Sequence, residues 1–155
     1  MTRPIAGCSL VLLLLTLGII GCGDGQKTAE LVPTEVVVTI NNQPLPNALV
    51  TLTPTAEGYG SSAIAFGVTD EKGRAKLMCG SKEGACIGTN LVTVADAPPP
   101  EDTRGEDAAA QIKGNQYLKG LKNRPIPEKY MSVSKSDLKI EIQKGQTEYT
   151  IDLKR

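Results

Sequence analysis

From Glu35 to Leu153 the chain repeatedly sets apolar side chains at every second residue, a period that fits extended strands and not helices. In "EVVVTIN" Val36, Val38 and Ile40 share a face. In "NALVTLTP" Ala48, Val50 and Leu52 share one face, with Leu49, Thr51 and Thr53 on the other. Successive side chains of a strand point to opposite sides, so each run has one face to bury and one to leave outside. The runs are short, and residues that favour reversals separate them: "NNQPLPN" after the first, "DEKG" between "AIAFGVT" and "RAKLMC". Ile64, Phe66 and Val68 alternate in "AIAFGVT", and Ala75, Leu77 and Cys79 alternate with Arg74, Lys76 and Met78 in "RAKLMC". "DLKIEIQ" is expected to turn Leu138, Ile140 and Ile142 inward, and "EYTIDLK" Tyr149, Ile151 and Leu153, with Gly145 turning between them. About seven such strands predict an all-β fold, an antiparallel seven-stranded β-sandwich of transthyretin-like or immunoglobulin-like shape.

One long irregular loop, 96–134, interrupts this pattern. Loops beyond about fifteen residues usually carry function or hide an element. "EDAAAQIKGNQYLKGLK" is expected to hold a short helix despite Gly114 and Gly120, although Ile112, Tyr117, Leu118 and Leu121 form no single apolar stripe.

The N-terminus has a different character. Arg3 is followed by an uncharged stretch from Pro4 to Gly21, the layout of a secretory leader. Ile5 to Ile20 is shorter than the roughly twenty apolar residues of a membrane-spanning helix. The run Ile19-Ile20-Gly21-Cys22 resembles the lipobox of bacterial lipoproteins, in which the cysteine takes a diacylglyceryl group and the leader is cut just before it. That resemblance implies a signal peptide over 1–21, lipidation at Cys22 and a lipidated flexible tether over 22–35, leaving 36–155 as the β-sandwich domain. Two or three acyl chains, at about 0.8 kcal/mol per buried methylene, anchor a protein stably without a spanning helix. The expected location is therefore extracytoplasmic, lipid-anchored to a bacterial membrane, on the periplasmic or cell-surface side.

Composition narrows the chemistry. The 155 residues carry 17 basic and 17 acidic side chains, which gives no electrostatic pull toward nucleic acid. Histidine and tryptophan are absent, and Phe66 and four tyrosines are the whole aromatic set. The commonest general base is thus missing, along with the commonest imidazole ligand and most of a stacking platform. Once Cys8 leaves with the leader and Cys22 takes lipid, Cys79 and Cys86 remain. A disulfide between them suits an exported compartment, two free thiols are the alternative, and a metal site would lack ligands. Cys86 has the parity of Val92 and Val94 if no bulge intervenes, so both cysteines are expected inward near the ends of adjacent strands. Asp70 and Gly73 lack the spaced oxygens of a calcium loop and read as a turn.

"NNQPLPNALVTLTP", "GVTDEKGRAKL" and "IGTNLVTV" together resemble the transthyretin-like, or carboxypeptidase regulatory-like, β-sandwich domain. Pro44-Leu45-Pro46, Ala48, Val50, Thr69-Asp70 and Gly73 keep its pattern, whereas Asn47, Ala75 and Leu91 depart from it. The tail from Ile126 resembles small lipoproteins of planctomycete-type bacteria, in which an I-P-x-K-Y stretch precedes two closing strands. The motifs of this resemblance set turns and carry no catalytic chemistry. A purine-degrading hydrolase of the same shape depends on histidines and a tyrosine-rich tail, and this chain has neither.

Other catalytic arrangements fare no better. Ser61, Ser62, Ser81, Ser132, Ser134 and Ser136 have no histidine to activate them. Glu101, Asp102, Glu106 and Asp107 read as a solvated acidic stretch. No catalytic residue, cofactor or metal is expected, and the chain is read as a non-enzyme. It is expected to be an envelope module with a structural or protein-interaction role, meeting the membrane through its lipid and other envelope proteins through its surface. The alternative is a peptide- or glycan-binding lipoprotein that uses the 96–134 loop.

Overall fold

The computed structural model describes residues 27–105 and 107–155, so the segment expected to be a leader and Cys22 lie outside the described residues. Twelve strands follow one another: β1 (Leu31–Val32), β2 (Glu35–Ile40), β3 (Gln43–Pro44), β4 (Ala48–Pro54), β5 (Ala65–Val68), β6 (Arg74–Lys76), β7 (Met78–Cys79), β8 (Lys82–Glu83), β9 (Ala85–Cys86), β10 (Gly88–Asp96), β11 (Lys139–Ile142) and β12 (Glu148–Leu153). One helix, α1 (Ala108–Gly120), lies in the long loop. The expected strand "RAKLMC" is split into β6 and β7, and the two-residue strands β1, β3, β8 and β9 form in segments expected to be tether, turn or connector, so twelve stand where seven were expected.

A six-stranded sheet runs β11-β10-β4-β5-β7-β8, and a second sheet runs β12-β2-β3 with β6 also on β2. Their inner faces form one core. Val50, Leu52, Val92, Val94 and Ile142 from the first meet Val36, Val38, Ile40, Ile151 and Leu153 from the second. The fold is thus an all-β sandwich, but not uniformly antiparallel. β12 lies parallel to β2, Glu148 opposite Glu35 through Leu153 opposite Ile40. β11 and β12 flank the turn at Gly145 and go to opposite sheets, so they form no hairpin.

The order begins before residue 36. Leu31 and Val32 pair with Cys86 and Ala85, and buried Thr34 accepts a hydrogen bond from Leu77 N at 2.9 Å. The last part of the segment read as tether therefore belongs to the fold.

The turns follow from their residues. Asn41, Asn42 and Asn47 take positive φ of 50°, 63° and 53°, a region asparagine tolerates better than most side chains. Gly73, at φ +76°, lies where a Cβ would stand 2.4 Å from the Val38 carbonyl. Asp70 Oδ1 accepts from the N–H groups of Lys72 and Arg74 at 2.8 and 2.9 Å, so the "DEKG" carboxylate closes its own turn.

β5 departs from the simple reading of its alternation. Ala65 and Gly67 face the core, while Phe66 and Val68 are 49% and 50% exposed. A Cβ on Gly67 would lie 2.4 Å from the Lys76 carbonyl and 3.2 Å from Leu77 Cδ2. The inner layer has no room there, so the small residues turn in and the large ones out.

The long loop is tied down at both ends. α1 starts at Asp107, whose Oδ1 accepts from Ala110 N at 2.7 Å, the expected geometry of an N-cap. After it, Ile126 and Tyr130 enter the core, and Tyr130 Oη both accepts from Lys154 N and donates to Lys154 O, each at 3.1 Å.

Candidate functional site

Cys79 and Cys86, the cysteines among the described residues, lie on β7 and β9, which belong to different sheets and are not the adjacent strands expected. β7 pairs with β5 and β8, and β9 pairs with β1. Both are buried free thiols. The parity of Val92 and Val94 does not reach Cys86, because Gly88 at φ +103° breaks the alternation at the start of β10 and the successive residues Ala85 and Cys86 are both buried. Their surroundings differ. Cys79, 6% exposed, donates its S–H to the Ser62 carbonyl at 3.1 Å and lines an open cavity of about 430 Å³. Lys27, Thr28, Ser62, Ser81 and Lys82 supply the polar wall of that cavity, and Leu31 part of the apolar one. Cys86, 1% exposed, does not line it.

Burial pushes the Cys79 thiol above its ordinary value, the charge on Cys86 adds to this, and Lys82 opposes it. Burial also raises Cys86, against a hydrogen bond from the Tyr59 hydroxyl. The same contact is the main reason Tyr59 is itself raised. Tyr59, Cys79 and Cys86 therefore form one interacting group. Next to it, buried Asn90 donates through Nδ2 to the carbonyls of Cys86 and Gly88, both at 2.8 Å, while its Oδ1 has no partner among the described residues.

The loop surface is built differently. α1 leaves Ile112 and Leu118 more than half exposed and buries only Ala110. Arg124 anchors the loop to the start of β4. Its Nη2 donates to the carbonyls of Pro46 and Asn47 at 2.9 and 3.0 Å, its Nη1 to Lys122 O at 2.8 Å, and its Nε pairs with Asp96. Sequence reasoning missed this residue, because a lone arginine in a loop gives no signal of what it will reach.

The expected site residues are thus partly brought together. Cys79 and Cys86 act on each other electrostatically, Ser62 and Ser81 meet at the cavity that Cys79 lines, Ser132 and Ser134 share a hydrogen bond at 2.8 Å, and Cys22 and Glu106 are not among the described residues. Among the described residues no three cysteines or carboxylates converge as a metal site would require, and no helix is long and apolar enough to cross a membrane.

No family model, curated protein or solved structure matches this chain.

Proposed function

We propose that the protein is a lipid-anchored, extracytoplasmic module of a bacterial envelope, of the transthyretin-like sandwich type, with an interaction role and no catalytic one. Lipid on Cys22 would hold it, and a Cys79–Cys86 bridge would brace β7 against β9. The observation that carries the interaction role is the placement of Phe66. The only phenylalanine of the chain stands half-exposed on the outer face of the six-stranded sheet, with Val68 on the same strand face and Met78 its register partner on β7. Buried aromatic anchors dominate protein interfaces, and an exposed one beside other apolar side chains is suited to that use.

Two measurements test this reading. The intact mass of protein extracted from membranes should lack residues 1–21 and carry diacylglycerol on Cys22. It should also gain two hydrogens on reduction. A photo-reactive residue at position 66 should cross-link an envelope protein in intact cells. A mature chain without lipid sinks the anchor, and position 66 giving no protein adduct sinks the sheet-face role.

A second reading rests on α1, whose exposed Ile112 and Leu118 face away from the core. There the protein captures a soluble peptide or glycan through the 96–134 loop. Deleting residues 101–122 should abolish capture of such a ligand under this reading and leave the cross-link at position 66 under the first.

A further inference from the structure

A disulfide is made and broken by a thiolate approaching one particular sulfur, so access decides which of two cysteines meets the outside partner. The two here are unequal. Cys79 lines the cavity together with Lys27 and Lys82, whereas Cys86, 1% exposed, does not line it and donates its S–H to the Ile87 carbonyl at 3.6 Å. Neither lysine has an ion-pair partner among the described residues, and no carboxylate lines the cavity, so its wall carries two positive charges.

We propose that Cys79 is the entry sulfur through which the Cys79/Cys86 pair exchanges disulfides with an anionic disulfide-bearing partner docked in this cavity. The proposal rests on the bridge reading above. Cys79 gives up its proton and its thiolate attacks one sulfur of the partner's disulfide. The partner's S–S bond breaks, and the departing thiolate takes up a proton. Cys86 then loses its proton and attacks the Cys79 sulfur of the mixed disulfide, which releases the partner's second sulfur as a thiol. Two protein thiols are oxidised to one disulfide, one partner disulfide is reduced to two thiols, and two electrons and two protons pass outward. Cys86 resolves the mixed disulfide and does not meet the partner.

The test uses residues 22–155 carrying Cys22→Ser, so that two thiols remain. In that background Cys86→Ala should react with the dianionic reagent dithiobis(nitrobenzoate) at least about tenfold faster than Cys79→Ala, since both thiols are raised by burial and differ in access. Lys27→Gln with Lys82→Gln should slow this reagent at Cys79 and leave the neutral reagent dithiodipyridine unaffected. Where a single-cysteine variant fails to fold, substoichiometric iodoacetate on the two-thiol chain gives the same answer by peptide mapping, with the carboxymethyl group expected on Cys79. Equal rates, or label mainly on Cys86, overturn the entry role. Equal slowing of both reagents overturns the part assigned to the lysines. A native mass unchanged by reductant sinks the bridge alone, so the two failures are told apart.

Discussion

Thr69 shows how a single side chain fixes a junction. It is buried, donates its hydroxyl to the Leu45 carbonyl at 2.6 Å and accepts from Ala48 N at 2.9 Å. It thereby welds the "PLPNA" turn to the end of β5. Thr69→Val keeps the shape and strands a buried N–H and a buried carbonyl, so urea unfolding should show a loss of about 2 to 3 kcal/mol. Its neighbour Asp70 is exposed and acts by charge. Hydrogen bonds from Arg74 N, first, and from Lys72 N hold its carboxyl below the usual carboxylate range. A depressed folded-state value means that the ionised form stabilises the fold above the unfolded-state pKa near 3.9, and that this contribution is lost as pH falls through the lower folded value. Asp70→Asn should flatten the stability-against-pH curve in that acidic window and leave its shape near neutrality unchanged. An unaltered acid limb would contradict this.

Individual strands were legible to the extent that their inner faces have bulk. β2, β4 and β12 read correctly because valine, isoleucine and leucine mark the buried side, and all of these are essentially inaccessible. β5 misleads because its inner positions hold alanine and glycine, which carry little hydrophobic signal, while its outer positions hold the bulkier pair. The cause lies 76 residues into the chain, at a carbonyl on β6 that no local pattern reveals. Gly67→Ala should therefore cost about 1 to 3 kcal/mol in chemical denaturation through overpacking, although the outward alternation would suggest a neutral site. The long loop is the reverse case. Its helix could be expected from "EDAAAQIK", but the residues that fasten it reach elements far away in sequence. Arg124 binds carbonyls at 46 and 47, and Tyr130 binds 154. The candidate site was half legible: alternation along "RAKLMC" placed Cys79 inward, whereas Cys86 lies beyond the break at Gly88, and nothing in the spacing told which cysteine would border a cavity.

Across the molecule, both sheets take strands from distant parts of the chain. β10 sits between β4 and β11, and β2 between β12 and the β3/β6 pair. Truncation after Gly145 removes Tyr149, Ile151 and Leu153 from the core along with every β2–β12 hydrogen bond. It should abolish the cooperative unfolding transition, whereas removal of residues 101–122 should leave one; calorimetry distinguishes the two outcomes. The parallel pairing of β2 with β12 also sets a timetable. β2 is among the first of the described strands to be made, and the strand it must lie against is the last of them. A chain emerging N-terminus first from a ribosome holds one edge of β2 without its hydrogen-bonding partner until β12 has been made. Completion of this sheet is therefore a late event in synthesis, and the β2 edge stays open to other pairings for most of the time the chain is being made.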